Sequence, residues 1–330
     1  MENNKRIVMI SIFSKYRFWN FPEGYVQKLQ DEFKEFKFIQ TKNKEEFNQY
    51  LPKAEVFATF RFSPDDFKKA VSLKWLHIAG AGVGRIIFDE LIKSQVIITK
   101  TSGINKEAVS EMAWSFILSL AKMHSVRLEY KKKGDILSSE IDFMNMQNLF
   151  GKTLGILGLG EIGRRIARIG KAFEMNVIGT RMKSNEPVEC VDKVFGPEGL
   201  YEILEQSDFL VVALPITPAT DRMLGEEEFK RMKKGVYIIN ISRGQIIKED
   251  VLIKYLKSGK VLGAGLDVME NEPISPDNEL YTLPNVIITP HIAGYHDKYW
   301  ERLYEHLKIN LRLYLDGKPL LHMIDKQTRY

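Results

Sequence analysis

Thr153-Leu-Gly-Ile-Leu-Gly-Leu-Gly-Glu-Ile-Gly163 carries more structural information than any other stretch of this chain. Residues 153–157 read as a short buried strand. Gly158, Gly160 and Gly163 follow in G-x-G-x-x-G spacing, and Ile162, Ile166, Ile169 and Phe173 then predict a helix over 161–173. A strand, a tight glycine turn and a helix start can hold a dinucleotide pyrophosphate. The first glycine makes the turn, the second lets the backbone approach the phosphates, and the third lets helix and strand pack closely. The helix N-terminus offers free N–H groups and the positive end of its dipole. The glycine spacing alone is weak evidence, because such turns are common. The strand before it and the helix after it give it meaning.

Downstream the alternation continues. Strands are predicted at 153–157, 176–180, 193–195, 209–214, 236–241, 263–268 and 286–289, with helices at 161–173, 200–205, 226–230 and 248–257. This is a doubly wound nucleotide-binding pattern, assigned to 101–295. Upstream, strands at 6–13, 37–41, 56–60, 75–79 and 96–100 alternate with helices at 26–33, 44–50, 64–71 and 85–93, which implies a second parallel sheet covered on both faces. Residues 105–124 form a long helix with a wide apolar surface (Val109, Met112, Ala113, Phe116, Ile117, Leu120), expected to be buried and to link the two domains. A last amphipathic helix, 299–316, is expected to cross back, so the first domain is discontinuous, 1–100 with 296–330. Residues 125–150 are less regular, and Ile141, Phe143, Met144 and Met146 are either core or a subunit contact.

Composition narrows the class. The 330 residues are 44% hydrophobic and 28% charged, ordinary for a soluble globular protein. No segment approaches the roughly 18 uninterrupted apolar residues of a membrane span. Met-Glu-Asn-Asn-Lys-Arg leads directly into a strand, without the apolar core of a signal peptide. The single cysteine, Cys190, excludes an intramolecular disulfide, is a poor zinc candidate and reads as an ordinary residue in an αβ connection. A cytoplasmic protein is expected. The net charge is +5, and the one compact run, Lys131-Lys132-Lys133, reads as a solvated face. Nucleic-acid binding calls for a concentrated basic patch, so small anionic ligands are the simpler account. No metal is expected.

Ligands of such sheets sit beyond the carboxyl ends of the strands. In the first domain that singles out the loops 14–18, 61–63 and 80–84. Gly80-Ala-Gly-Val-Gly84 can expose successive N–H groups as an anion nest, a flexible connection being the alternative. In the second domain three strand ends stand out: Ile239-Asn-Ile-Ser-Arg-Gly244, Asp267-Val-Met-Glu-Asn-Glu-Pro273 and Thr289-Pro-His-Ile-Ala-Gly294. Arginine can hold a carboxylate in a two-pronged hydrogen bond. Histidine exchanges a proton near neutral pH, and a carboxylate against its second nitrogen fixes the tautomer. With a nicotinamide, these groups suffice to reduce a 2-keto acid. Singly, each has a plain alternative: a surface arginine, a capping glutamate, a structural histidine. Together, beside a dinucleotide turn, they point to chemistry.

Over essentially its whole length the chain resembles the D-isomer-specific 2-hydroxyacid dehydrogenases, in their glyoxylate/hydroxypyruvate reductase-like branch. The motifs are Gly158-Leu-Gly-Glu-Ile-Gly163, Leu214-Pro-Ile-Thr-Pro-Ala-Thr220, Asn240-Ile-Ser-Arg-Gly244, Gly265-Leu-Asp-Val268, Asn271-Glu-Pro273, Thr289-Pro-His-Ile-Ala-Gly294 and Pro319-Leu-Leu-His-Met-Ile-Asp-Lys326. The resemblance implies an α/β protein of two doubly wound parallel-sheet domains, a Rossmann nucleotide-binding domain and a flavodoxin-like substrate domain, assembled as a homodimer. It implies Arg243 as substrate-binding arginine, His291 as general acid in reduction and Glu272 as its partner. It implies cofactor contacts from Gly158, Gly160, Glu161, Ile162, Gly163, Leu214, Pro215, Ile241, Asp267 and Gly294, and a carboxylate clamp at Ala81, Gly82 and Val83. Many members read Gly-Val-Asp where this chain has Gly82-Val83-Gly84, which leaves the capping of 85–93 open. Arg61-Phe-Ser63 resembles a substrate loop of phosphoglycerate dehydrogenases, which read Arg-Ser. That activity is the enzymatic alternative, and a dinucleotide-sensing corepressor is the alternative of another class.

An NAD enzyme usually carries Asp or Glu at the end of its second strand. Here that strand runs into Thr180-Arg181-Met182-Lys183-Ser184, with no acid before Glu186. Arginine, lysine and a hydroxyl suit a 2′-phosphate, so Thr180, Arg181, Lys183 and Ser184 predict NADP(H) as the favoured coenzyme. NAD(H) with a merely exposed Arg181 is the alternative.

Overall fold

Apolar runs become strands, and the amphipathic stretches between them become helices. The computed structural model describes residues 5–13, 19–83, 86–132, 134, 146–182, 184 and 186–327. The expectations that rest on 14–18, Gly84, Arg85, Lys133, Ile141, Phe143, Met144 and Lys183 fall outside them. The chain divides into two compact units, Met1–Ile104 with His296–Tyr330, and Asn105–Tyr295.

The first unit contains β1 (Arg6–Ser11), α1 (Glu23–Glu32), β2 (Phe36–Gln40), α2 (Lys44–Tyr50), β3 (Val56–Thr59), α3 (Pro64–Lys69), β4 (Trp75–Ile78), α4 (Asp89–Lys93) and β5 (Ile97–Lys100). Its five parallel strands lie in the order β2-β1-β3-β4-β5, the flavodoxin-like order, which reverses between β1 and β3. Every residue of β3 and β4 is buried, as expected of parallel strands covered on both faces. On one face Leu29, Phe33 and Trp75 pack with Leu303, Leu307 and Leu311 of a helix late in the chain. On the other, Phe57 and Leu76 pack with Phe62, Leu73 and Leu91.

The second unit contains α5 (Lys106–Ala121), α6 (His124–Lys132), β6 (Thr153–Leu157), α7 (Glu161–Ala172), β7 (Asn176–Thr180), β8 (Lys193–Phe195), α8 (Leu200–Gln206), β9 (Phe209–Val212), α9 (Glu226–Arg231), β10 (Val236–Asn240), α10 (Glu249–Lys257), β11 (Val261–Leu266) and β12 (Val286–Ile288). Its seven parallel strands run β12-β11-β10-β9-β6-β7-β8, and the order reverses between β6 and β9. That is the doubly wound Rossmann arrangement, whose ligand crevice opens at the reversal. A Cβ on Gly170 would stand 2.8 Å from Leu154, so α7 lies close against β6, with Ile166 and Ala167 fully buried.

Several expectations are corrected. The helix expected over 85–93 is only α4, because the Val83 carbonyl takes the N–H groups of both Ile86 and Ile87 in a turn and Phe88 is extended. α5, which begins at the boundary of the two units, lies within the second, with Val109, Ala113, Trp114 and Phe116 in one core with Ile166 and Ile156. α6 falls in the stretch expected to be irregular, since its sequence, His-Ser-Val-Arg-Leu-Glu-Tyr-Lys-Lys, shows no apolar stripe. Among the described residues no helix separates β7 from β8, so Cys190 sits in a strand-to-strand connection, at φ +63°. No helix among the described residues is long and apolar enough to cross a membrane.

In the first unit the chain returns as α11 (Tyr299–Leu315) and then runs along β5. The buried Asn310 amide accepts from Leu321 N at 2.7 Å and donates to its carbonyl at 3.3 Å. Ile324 N donates to Ile98 O, and Lys100 N to His322 O. Here three imidazoles stack, His322 on His306 and His306 on His77, with centroids 5.2 and 5.5 Å apart. Burial, reinforced by the neighbouring ring, pushes His77 down to about 3 and His306 to about 4. An unfolded histidine takes its proton near pH 6.5, so as pH falls below that value the unfolded chain binds more protons than the folded one. Stability should therefore drop between about pH 6.5 and pH 4, by on the order of 2 kcal/mol per histidine at the acid end. Urea midpoints compared across this range, with His306→Phe flattening the slope, check it. An unchanged slope in that variant would contradict it.

Candidate active site

The crevice at the reversal is shaped by glycines. Gly158 follows β6 at φ +104°, and a Cβ there would stand 2.8 Å from the Ala213 carbonyl beyond β9. A Cβ on Gly163 would overlap the Gly158 carbonyl oxygen. Gly160, in contrast, would meet nothing within 4 Å, so its backbone faces open space at the start of α7. Thr180 is buried and turned inward: its hydroxyl accepts from Gly158 N at 3.0 Å and its carbonyl from Leu159 N. It shapes the glycine turn with the group that the sequence assigned to the coenzyme. An open backbone edge at a helix start, with crowded glycines on either side, fits a dinucleotide pyrophosphate.

Around this turn the other expected contacts fall as follows. Glu161 is exposed and lies 3.7 Å from Lys106. Arg181 pairs with Glu186 at 3.3 Å, and Ser184 is half-buried nearby in the chain. A cleft of about 420 Å³ is lined by Lys106, Glu161, Arg164, Arg165, Arg168 and Arg181 and by residues 187–190. Beyond β9, Leu214 and Pro215 are half-buried, and Thr220 holds their loop by donating to the Pro215 carbonyl at 2.7 Å. Ile241 is buried, and Gly294 packs against the Asn105 amide.

The three strand ends are adjacent because β10, β11 and β12 are neighbours in the sheet. His291 Nδ1 lies 2.8 Å from Glu272 Oε2, and Glu272 Oε1 accepts from Met269 N at 3.2 Å. Burial alone would raise the Glu272 carboxyl. The hydrogen bond and charge of His291, the Met269 N–H and the charge of Arg243 outweigh it and hold the group below its ordinary value. Glu272 is thus ionised near neutrality, and a carboxylate only accepts, so Nδ1 carries the hydrogen and Nε2 is left for other chemistry.

His291 itself adopts φ +55°, unusual for a side-chain-bearing residue. Asp267 holds it there. One oxygen of this buried carboxylate takes the Thr289 hydroxyl and Ile292 N, and the other takes Ala293 N, while the Asp267 carbonyl takes His291 N. Burial pushes the Asp267 carboxyl up, partly opposed by these donors. Its side chain thus serves the histidine loop.

Arg243 is half-buried, and one guanidinium nitrogen donates to the Ser242 carbonyl at 2.5 Å. Gly244 follows with no room for a side chain: a Cβ would overlap the Met269 backbone. The arginine loop and the glutamate loop therefore touch main chain to main chain.

In the first unit, Thr59 secures the loop at the sheet's reversal, its hydroxyl accepting from Arg61 N at 3.1 Å. Arg61 is exposed, whereas Phe62 is buried against Phe57 and Phe67. The Ser63 hydroxyl is committed to capping α3 with Asp66. Ala81 and Gly82 are exposed, and Val83 is their buried anchor. Asn240, Thr220 and Thr289 were not singled out in the sequence. The signal for Asn240 was a polar residue closing an otherwise apolar strand, Val-Tyr-Ile-Ile-Asn.

A glycine turn at the reversal of a parallel Rossmann sheet defines a dinucleotide-binding protein, and the adjoining histidine, carboxylate and arginine make it a candidate oxidoreductase. Residues 114–293 match the family model described as D-isomer specific 2-hydroxyacid dehydrogenase, NAD binding domain. A glyoxylate reductase of Thermococcus gammatolerans is 33% identical over 275 residues, 81% of each chain. The NADPH-dependent glyoxylate/hydroxypyruvate reductase of Sinorhizobium meliloti, solved with NADP and sulfate, superposes with a TM-score of 0.81 at 26% identity, over 99% of this chain and all of that one. The D-lactate dehydrogenase of Aquifex aeolicus, solved with NAD and lactic acid, gives 0.79 at 29% identity, over 94% and 96% of the two chains. The protein belongs to the D-isomer specific 2-hydroxyacid dehydrogenases, nicotinamide-dependent oxidoreductases acting on the CH–OH group of 2-hydroxy acids.

The two glycines separate binding from folding. Gly160→Ala should leave stability within about 0.5 kcal/mol of wild type while weakening dinucleotide binding. Gly163→Ala should cost about 1–3 kcal/mol by overpacking. Denaturant midpoints and dinucleotide titration of both variants check this, and equal destabilisation by the two would count against it.

Proposed function

We propose that the protein reduces small 2-keto acids such as glyoxylate or hydroxypyruvate, with NADP(H) as the preferred coenzyme. The observation that carries this reading is the His291–Glu272 pair, 2.8 Å apart and beside Arg243. Arg243 holds the substrate carboxylate through its guanidinium. Glu272 keeps the hydrogen on Nδ1 of His291, and Nε2 gives its proton to the ketone oxygen. Gly158, Gly160, Gly163 and the first turn of α7 hold the pyrophosphate, and the nicotinamide, when bound, supplies the hydride. In the first unit, Arg61 and the amides of Ala81, Gly82 and Val83 are the candidates for substrate contact.

The coenzyme preference is supported by charge. Five cations and two carboxylates line the cleft at the end of β7. Glu186, which pairs with Arg181, is 65% exposed. Such a surface pair is worth no more than about 1 kcal/mol, so a phosphate displaces it at little cost. Exposed Leu128 and Phe150 favour pairing with a second copy of the chain.

The first experiment is oxidation of NADPH and NADH with glyoxylate, hydroxypyruvate, pyruvate, phenylpyruvate and phosphohydroxypyruvate. Fast NADPH oxidation with the first two is expected, and silence on all would refute the reading. His291→Ala should lower turnover by about 10²–10⁴-fold with dinucleotide affinity retained. Near-normal turnover in that variant would remove His291 from the mechanism. Arg181→Gln should lower kcat/KM with NADPH about tenfold, one lost charge-assisted bond, and spare NADH. An equal loss with both coenzymes would argue against a 2′-phosphate contact.

A further inference from the structure

Asn240 is the last residue of β10, and only 1% of its surface is exposed. Its main chain belongs to the sheet, where its carbonyl accepts from Asp267 N at 3.0 Å. Its side chain belongs to the loop that follows. Oδ1 accepts from Ser242 N at 3.1 Å and from the Ser242 hydroxyl at 2.9 Å, and Nδ2 donates to the Arg243 carbonyl at 3.0 Å. One buried amide thus pins the peptide before Ser242 and the peptide after Arg243. The Ser242 carbonyl between them takes the Arg243 guanidinium.

We propose that Asn240 is a positioning residue for the 2-hydroxyacid reaction: its amide sets the direction in which Arg243 leaves the backbone, and so the affinity for the substrate carboxylate. The inference rests on the role proposed above for Arg243. It requires an amide, because one end accepts twice while the other donates. An aspartate has the same size and keeps the acceptor, but it sets a carboxylate oxygen against the Arg243 carbonyl. A glutamine is too long for the three contacts. Gly244, locked against Met269, stops the loop from relaxing on its far side.

The test uses the full chain with NADPH and glyoxylate, and oxamate as a carboxylate-bearing inhibitor. Asn240→Asp should raise the glyoxylate KM and the oxamate inhibition constant together, about tenfold, which corresponds to one lost charge-assisted contact. NADPH affinity should stay within about twofold, because the glycine turn is untouched. The deficit should narrow from about pH 7.5 to about pH 5.5, as protonation of the buried carboxyl restores a donor. In an Arg243→Gln background, Asn240→Asp should add less than about twofold, because the two residues act as a unit. Unchanged KM and inhibition constants in the folded variant, or full additivity with Arg243→Gln, would overturn the proposal. If Asn240→Asp fails to fold, Ser242→Ala removes one contact only, and a KM rise of about threefold with unchanged NADPH affinity is expected. No rise there overturns the proposal equally. A wild-type chain that ignores glyoxylate but binds oxamate with NADPH would refute the reaction and not Asn240, whose effect is then read from oxamate affinity by calorimetry.

Discussion

A carboxylate buried at the end of β11 sets the geometry of the site. Leaving an ion out of water costs several kcal/mol unless it is hydrogen-bonded, and Asp267 accepts from Thr289, Ile292 and Ala293. Bonds to a charged acceptor contribute about 1.5–3 kcal/mol each; they offset part of the burial cost and hold His291 in a left-handed backbone that costs roughly 1–3 kcal/mol. The strained histidine is thus held by its neighbours and not by its own preference. With the loop fixed, Nδ1 meets Glu272 at 2.8 Å.

Sheet order does the rest. β10, β11 and β12 follow one another in space, so arginine, carboxylates and histidine become neighbours without being neighbours in sequence. Where loops must approach more closely than side chains allow, glycine stands: Gly158 beneath Ala213, Gly163 against Gly158, Gly244 against Met269. Backbone contacts of this kind leave little freedom for the groups they carry, which suits a site that must hold an arginine and an imidazole in fixed relation.

The strand–turn–helix at 153–173 was legible because periodicity, glycine spacing and length all agree there. Arg243, Glu272 and His291 could be picked out as candidates because strand ends of parallel sheets are where ligands lie. What could not be read is direction. Asp267 and Thr180 stand at strand ends, and nothing in their residue types shows that their oxygens also hold loops. The three contacts of Asn240 exist only once the loop closes over it. α6 lacks an apolar stripe and gave no periodic signal. The helix expected over 85–93 shortens to α4 because Val83 draws the amides of Ile86 and Ile87 into a turn, a competition between hydrogen bonds that residue types do not reveal.

The first unit is completed by a helix that comes late in the chain. Its core needs Leu303, Leu307 and Leu311, and β5 is lined by the segment that Asn310 grips. During translation all of Asn105–Tyr295 leaves the ribosome before those residues do. The nucleotide-binding unit can therefore fold while its predecessor is still an open sheet lacking one face. Until α11 arrives, the buried face around Trp75 and Phe33 is bare apolar surface. The order in which the two units are completed, opposite to the order in which they begin, makes the nascent first unit the one that a chaperone would have to shield.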